Sequence, residues 1–295
     1  MIIGSRGSAL ALAQTEYVRS LLQEKGIQTT LRIVKTSGDM FADRPLHEVG
    51  TGIFVREIDE LMLEGEIDVA VHSMKDVPTE RSHQLVLSAV LRRDSPYDVL
   101  VSNFKFEELP EGAVIGTSSL RRRAQLLRLR SDLNIVGMRG NVDTRLRKLR
   151  RGDYDGIVLA EAGLRRMGID VDAERLPIVP SAGQGAIAVI TRKDVDDRLK
   201  QFNHEPSRRE IEVERTILKI LGGGCIVPIG VLARAHDDTI IVKAEILSPD
   251  GWRCISMERS FHVSNYKSAA VEMGTELKRK GGAELVEEAI KSIKG

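Results

Sequence analysis

Arginine is concentrated in one stretch of this chain, and guanidinium groups are well suited to hold carboxylates or phosphates. Between Ala113 and Arg166 there are thirteen basic residues, twelve of them arginine, against five acids. The whole chain carries 44 Lys and Arg against 43 Asp and Glu, so the surplus is local. A planar guanidinium grips an oxyanion through two parallel hydrogen bonds. The stretch therefore predicts a site for a polyanion.

Basic and hydroxyl residues also recur where a predicted strand ends and a helix begins. Gly116–Arg123 (GTSSLRRR) and Arg139–Arg145 (RGNVDTR) have this placement, as do Arg6 and Ser8 at the first such junction. Free backbone N–H groups and the helix dipole favour an anion there. The alternative is a solvated basic helix face with ordinary serine caps. We interpret four further residues as such a solvated helix face: Arg147, Lys148, Arg150 and Arg151.

The segment His72–Pro78 (HSMKDVP) follows another predicted strand. Pro78 cannot continue a ladder or a helix through its nitrogen, so Asp76 is presented on a rigid turn. Lys75 beside it can keep Asp76 ionised or bind a ligand carboxylate. One carboxylate in an arginine-lined cleft suits proton transfer and the stabilisation of a cationic intermediate. The alternative is a turn-capping aspartate, and His72 is typical of a packed strand residue.

A thiol follows three glycines in Gly222–Cys225, where little side-chain bulk can shield it. Cys225 is either a nucleophile or attachment point, or a buried small hydrophobe. Cys254 is interpreted as a core or surface residue. Two cysteines without CxxC spacing indicate neither a disulfide framework nor a zinc site, so we expect no metal and a reducing cytoplasm. A signal peptide and an apolar run of roughly 20 residues are not found in the sequence.

Strand and helix patterns must position these groups. They alternate over residues 1 to 90 and again over 97 to 180, which favours parallel α/β units. A helix over Glu205–Leu221, three strands and two closing helices then indicate a small α+β domain. Residues 36–52 hold Gly and Pro with little periodicity and form a candidate lid. The length of 295 residues predicts two or three domains.

Five motifs resemble the porphobilinogen deaminase family: HSMKDVP, GTSSLRR, RGNVDTR, GQGA at Gly183–Ala186, and GGGCIVPIG. They fall in that family's order and spacing along essentially the whole chain. The resemblance implies an α/β fold class with three domains. Two would be doubly wound α/β domains similar to periplasmic binding proteins, formed by residues 1–91 with 186–203 and by the arginine-rich 97–180. The third, 207–295, would be a small α+β domain that carries the cysteine.

The resemblance also implies an activity. Members of this family condense four porphobilinogen molecules head to tail, with loss of ammonia, into the linear tetrapyrrole hydroxymethylbilane of porphyrin and heme biosynthesis. The product grows on a dipyrromethane cofactor held by a thioether, which here would be on Cys225. The resemblance implies a cytoplasmic monomer that takes porphobilinogen as its small-molecule substrate, with neither a nucleic-acid partner nor a membrane.

Roles carried over from the family are assigned by motif. Asp76 matches the catalytic aspartate and Cys225 the attachment residue. Positions that match cofactor- and substrate-binding residues are Arg6, Ser8, Lys75, Ser119, Arg121, Arg122, Arg139, Arg145, Arg166, Gln184 and Phe54. The sequence departs from the family at Thr51, where lysine is usual. We expect Arg44 or His47, on the same segment, to supply that contact.

Two other functions fit a local surplus of arginine. One is nucleic-acid binding, since arginine attracts phosphate. Between Ala113 and Arg166 only Tyr154 is aromatic, which disfavours single-strand binding by base stacking. The other is a small-anion receptor, which would need neither Asp76 nor Cys225.

Overall fold

Three β-sheets organise the chain in the computed structural model, which describes residues 1–36, 55–195 and 197–294. The strands of the first sheet are β1 (Ile2–Arg6), β2 (Thr30–Val34), β3 (Val69–Ser73), β4 (Leu85–Val90) and β10 (Ile187–Arg192). Their order is β2-β1-β3-β10-β4. β1 runs parallel to β2 and β3, whereas β10 is antiparallel to both β3 and β4.

Helices cover both faces of this first sheet. Successive strand residues point to opposite faces, so Val69 and Val71 pack with α1 (Ala9–Glu24) while Ala70 packs with α2 (Arg56–Leu63). All three side chains are at most 2% exposed. A sheet buried on both faces explains why β3 reads as a nearly continuous apolar run.

The second sheet contains β5 (Asp98–Ser102), β6 (Val114–Gly116), β7 (Asn134–Val136), β8 (Gly156–Ala160) and β9 (Glu174–Arg175). Its order is β7-β6-β8-β5-β9. β6 is parallel to β7 and β8, and β5 is antiparallel to β8 and β9. The helices between these strands are α3 (Leu120–Leu129), α4 (Val142–Arg150) and α5 (Glu161–Arg166).

The C-terminal part forms a three-stranded antiparallel sheet with helices. Its elements are α6 (Glu205–Leu221), β11 (Ile229–His236), β12 (Thr239–Leu247), β13 (Cys254–His262), α7 (Tyr266–Leu277) and α8 (Ala283–Lys294). Within the described residues, no helix is both long enough and apolar enough to cross a bilayer.

The predicted parallel α/β units are confirmed for β1 to β3 and for β6 to β8, whereas β5 and β10 run antiparallel to their neighbours. The chain passes from the first sheet to the second between β4 and β5 and returns between β9 and β10. A strand that arrives from the other sheet enters without a crossover helix, so it is free to run antiparallel. The domain boundaries given above stay a prediction.

The two passages between the sheets run side by side. We call residues 91–97 the first crossing and 176–186 the second. Asp94 N donates to Gly185 O at 3.0 Å. Gly185 has φ +85°, and a Cβ there would lie 2.6 Å from Ser95 O. This close backbone approach requires glycine at position 185.

Helix α6 ties the C-terminal part to both crossings through buried charges. The Arg93 side chain, 1% exposed, pairs with Glu214 at 2.7 Å and with Glu210 at 3.2 Å. Arg93 Nε also donates to Gln184 O at 2.9 Å. On its other side, Glu214 accepts the backbone N–H of Gly183 at 2.7 Å. These bonds place α6 directly against both crossings.

Candidate active site

Asp76 lies on a tight turn immediately after β3. The strand ends at Ser73, and Met74–Asp76 form one turn of 3₁₀ helix that Val77 N closes onto Met74 O at 3.2 Å. Pro78 follows and excludes a longer helix, as the sequence predicts. The Asp76 carboxyl is half-buried and lines a cavity of about 50 Å³. That volume holds solvent or a small polar group.

Residues from the first strand–helix junction line the same cavity. Arg6 ends β1, and Ser8 caps α1 by accepting Ala11 N at 3.3 Å. Ser8 thus makes the ordinary serine cap that was the alternative at this junction. The structure thus brings Arg6, Ser8 and Asp76 together, although they are far apart in sequence.

His72 also lines this cavity, but it is 5% exposed. Burial, reinforced by Arg81 and Arg6, lowers the pKa of His72 from 6.5 to about 3. Its Nε2 has no hydrogen-bond partner among the described residues. The imidazole is therefore neutral near pH 7 and does not carry the positive charge of a general acid.

Lys75 points from the same turn toward the second sheet. Its Nζ donates to Gln184 Oε1 at 3.1 Å, and the Gln184 amide donates onward to Asp98 Oδ1 at 2.9 Å. Burial lowers the pKa of Lys75 to about 8, although Asp76 and Asp98 oppose that shift. Lys75 and Gln184, two predicted binding residues, are therefore in direct contact.

Asp98 is the centre of a buried ion cluster at the start of β5. It is 0% exposed and pairs with Arg121 at 2.9 Å and with Arg122 at 2.6 Å. Burial alone would raise the pKa of Asp98, but the two guanidinium groups outweigh it and hold that pKa below the ordinary value. Arg121 also donates to Val179 O at 2.9 Å. We call Asp98, Arg121 and Arg122 the Asp98 cluster.

The sequence analysis did not identify Asp98. An acid that opens a strand as apolar as Asp98–Ser102 is a usable signal, because an isolated carboxylate is rarely buried without a cationic partner. Its partners come from α3, more than twenty residues later. The structure shows Arg121 and Arg122 paired with Asp98. That they also bind ligand carboxylates stays a prediction.

Two further arginines lie next to the cluster at the start of α4. Arg145 Nε donates to Gly140 O at 2.8 Å. Burial, together with repulsion from Arg122 and Arg139, lowers the pKa of Arg145 to about 10. Among the described ion pairs, none joins Arg139 or Arg145 to an acid. Like charges held this close favour an anion from outside the protein.

Two further predicted binding residues, Ser119 and Arg166, lie near helix ends of the second sheet's layer. Ser119 caps α3, accepting Arg122 N at 3.4 Å. Arg166, at the end of α5, donates to Gly185 O and has Asp94 Oδ2 3.7 Å away. Arg166 therefore contacts both crossings.

The cysteine loop follows α6. Gly222, Gly223 and Gly224 all have positive φ, at +84°, +76° and +58°, a backbone that other residues rarely adopt. The backbone of Cys225 lies in the 3₁₀ turn Gly224–Ile226, and its side chain lies outside the described part of the structure. The candidate lid after Thr36 is also outside that part, with Arg44, His47, Thr51 and Phe54.

Arg122, Arg139 and Arg145 form a cationic cluster, and Lys75 joins the Asp76 turn to Asp98 through Gln184. This arrangement is suited to binding a polycarboxylate. The family model "Porphobilinogen deaminase, dipyromethane cofactor binding domain" matches residues 1–201. The model "Porphobilinogen deaminase, C-terminal domain" matches residues 208–280. The chain belongs to the porphobilinogen deaminase family.

Full-length relatives agree with this assignment. A protein of Methanococcoides burtonii named "Probable porphobilinogen deaminase" is 54% identical, covering 100% of this chain and 99% of that one. The "Porphobilinogen deaminase" of Alkaliphilus metalliredigens is 42% identical, covering 97% of this chain and 94% of its own. A solved periplasmic substrate-binding protein from Coxiella burnetii aligns over 68% of this chain and 89% of its own with a TM-score of 0.42 and 17% identity, too weakly to support an argument.

Replacing His72 should change how stability depends on pH. Because the folded pKa is about 3 against an ordinary 6.5, the unfolded chain binds a proton that the folded chain does not, and stability is lost as the pH falls from 6.5 toward 3. In His72→Gln, the loss of unfolding free energy between pH 7 and 5 should be smaller by about 2 kcal/mol.

Urea unfolding at several pH values measures this difference. His83→Gln, at an exposed histidine of the same part of the chain, is the matched control and should keep the wild-type slope. Equal slopes in His72→Gln and the wild type would show that His72 is not held neutral.

Proposed function

We propose that this chain condenses four porphobilinogen molecules, with loss of ammonia, into hydroxymethylbilane. The observation that supports this most strongly is the arrangement of Arg139 and Arg145 beside Arg122. Burial, reinforced by repulsion from these two neighbours, lowers the pKa of Arg145. Each porphobilinogen carries an acetate and a propionate, so the product gains two carboxylates at every addition. A bound anion of growing charge offsets the repulsion among these guanidinium groups.

Asp76 is the proposed proton carrier. Its turn is rigid, its carboxyl opens into a cavity, and Arg6 lines that cavity beside it. In its acid form the carboxyl donates a proton to the departing amine, and as carboxylate it stabilises positive charge on the pyrrole ring. Lys75, fixed by Gln184, lies beside Asp76 to hold a substrate carboxylate. Its pKa of about 8 leaves Lys75 mostly charged at neutral pH.

The dipyrromethane cofactor that names the matched domain carries carboxylates, which suit the neighbouring guanidinium groups of Arg139 and Arg145. Arg139 and Arg145 would hold its carboxylates, and Cys225 would carry it through a thioether. When bound, it supplies the free α-carbon to which the first substrate is joined. Cys254 is the weaker candidate for attachment, because it lies within β13, paired to Leu247, and burial raises the pKa of its thiol.

The proposal also includes the domain organisation, the oligomeric state and the location of the protein. The three sheets support domains at residues 1–91 with 186–203, 97–180 and 207–295. The monomeric state stays a prediction. Within the described residues, no group of three or more His, Cys, Asp or Glu is placed to hold a metal ion. The cytoplasmic location stays a prediction.

Intact mass tests cofactor attachment directly. The purified wild-type chain should exceed its polypeptide mass by two linked pyrroles, and Cys225→Ser should lose that surplus together with activity. Cys254→Ser is the matched control and should keep the surplus. A wild-type chain of bare polypeptide mass that still forms the tetrapyrrole would contradict the proposal. A mass surplus that is lost in Cys254→Ser but kept in Cys225→Ser would also contradict it.

Replacing Asp76 tests the proton carrier. Asp76→Asn should keep the attached cofactor and the thermal unfolding midpoint, because the amide has the same shape. Its turnover should fall about 10³-fold, since the amide cannot carry the proton. Asp238→Asn, in an exposed turn between β11 and β12, should retain wild-type turnover. Full turnover in Asp76→Asn would remove Asp76 from this role.

A further inference from the structure

Arg215 of α6 grips the turn that carries Asp76. Its Nη1 donates to Val77 O at 2.7 Å and its Nη2 donates to Pro78 O at 2.6 Å. These carbonyls belong to the two residues directly after Asp76. One planar guanidinium therefore fixes two successive carbonyl groups.

The neighbouring residue of α6 supports the same turn from the other side. Glu214 accepts Gly183 N at 2.7 Å. The Gly183 backbone is in such close contact with the turn that a Cβ there would lie 2.9 Å from Met74 Cγ and 3.0 Å from Lys75 N. Glu214 and Arg215 thus restrain the turn at its beginning and at its end.

The same helix leads into the cysteine loop. Arg215 lies six residues before Leu221, where α6 ends, which is about 9 Å along a helix axis at 1.5 Å per residue. The loop Gly222–Cys225 follows at once. One rigid element therefore spans from the Asp76 turn to the residue proposed to carry the growing product.

We propose that Arg215 is a positioning residue for Asp76: through Val77 O and Pro78 O it sets the carboxyl of Asp76 relative to the reacting ring of a product tethered beyond α6. This inference rests on the proposed function, since it requires Asp76 to act on substrate. A displacement of the carboxyl by about 1 Å lowers turnover by up to about 10²-fold without removing any group that binds the substrate.

Arg208 provides a matched control on the same helix. It lies two helical turns before Arg215, and its Nη2 donates to Leu87 O of β4 at 3.0 Å. Arg208 thus also joins α6 to backbone of the first sheet, but away from the Asp76 turn. A purely structural role for such contacts predicts similar effects at both positions.

The test compares Arg215→Lys, Arg215→Gln and Arg208→Lys in the full-length chain with its attached cofactor, verified by intact mass. Lysine keeps the charge, but its single nitrogen on a flexible stem lacks the planar fork whose two nitrogens each donate to one carbonyl. Arg215→Lys should lower kcat about 10- to 100-fold, with KM for porphobilinogen within about threefold of wild type. Arg208→Lys should keep kcat within about twofold at a comparable shift of the unfolding midpoint. If Arg215→Gln does not fold, the kcat of Arg215→Lys tests the proposal by itself.

A double-mutant cycle with Asp76→Asn separates positioning from stability. If Arg215 acts through Asp76, Arg215→Lys should lower the residual turnover of Asp76→Asn by less than about threefold. The same 10- to 100-fold loss in both backgrounds, or equal kcat losses in Arg215→Lys and Arg208→Lys, would overturn the positioning role. Full turnover in Asp76→Asn would overturn the proposed function as well. If turnover falls in Asp76→Asn but stays at the wild-type value in Arg215→Lys, only this inference is overturned.

Discussion

The ion cluster around Asp98 is the interaction on which the rest of the cleft depends. Removing ions of this size from water costs several kcal/mol each, and only close pairing repays it. Asp98 is fully buried, and Arg121 and Arg122 lie within 2.9 Å of its two oxygens. The carboxylate therefore fixes two guanidinium groups of α3 at the start of β5, where the chain has just crossed from the first sheet.

From this cluster, a short series of bonds reaches the proposed catalytic turn and the C-terminal part. Gln184 joins Asp98 to Lys75, and two residues of α6 hold the turn around Asp76. The bonds of Gln184 join side chains, whereas those of α6 end on backbone atoms of the second crossing and of the turn. If the second sheet holds the ligand, as we propose, these bonds fix its position relative to the acid carried by the first sheet.

Charge is distributed unequally across this arrangement. Asp98 pairs with both Arg121 and Arg122, whereas Arg139 and Arg145 beside them are paired with no acid in the described part of the chain. The first pair gives a fixed framework, and we propose that the second pair attracts ligand carboxylates. A protein that must hold a product of increasing negative charge requires both properties.

Local sequence signals predicted the elements well, and long-range pairing limited the rest. The bounds of α6 (Glu205–Leu221) agree with the prediction to the residue, because a proline marks the start of the helix and a glycine follows its last residue. The antiparallel direction of β5 and β10 depends on the passage between sheets, which periodicity does not encode. Arg93 and Asp98 were missed for a related reason, because their partners lie twenty to more than a hundred residues away.

Urea unfolding of Asp98→Asn tests the central role of this cluster most directly. The amide has nearly the shape of the carboxylate but leaves two buried guanidinium groups without an anion. The free energy of unfolding should fall by about 3 to 5 kcal/mol, whereas Asp153→Asn, which breaks an exposed pair with Arg151, should change it by less than about 1 kcal/mol. An Asp98→Asn protein as stable as the wild type would contradict the account.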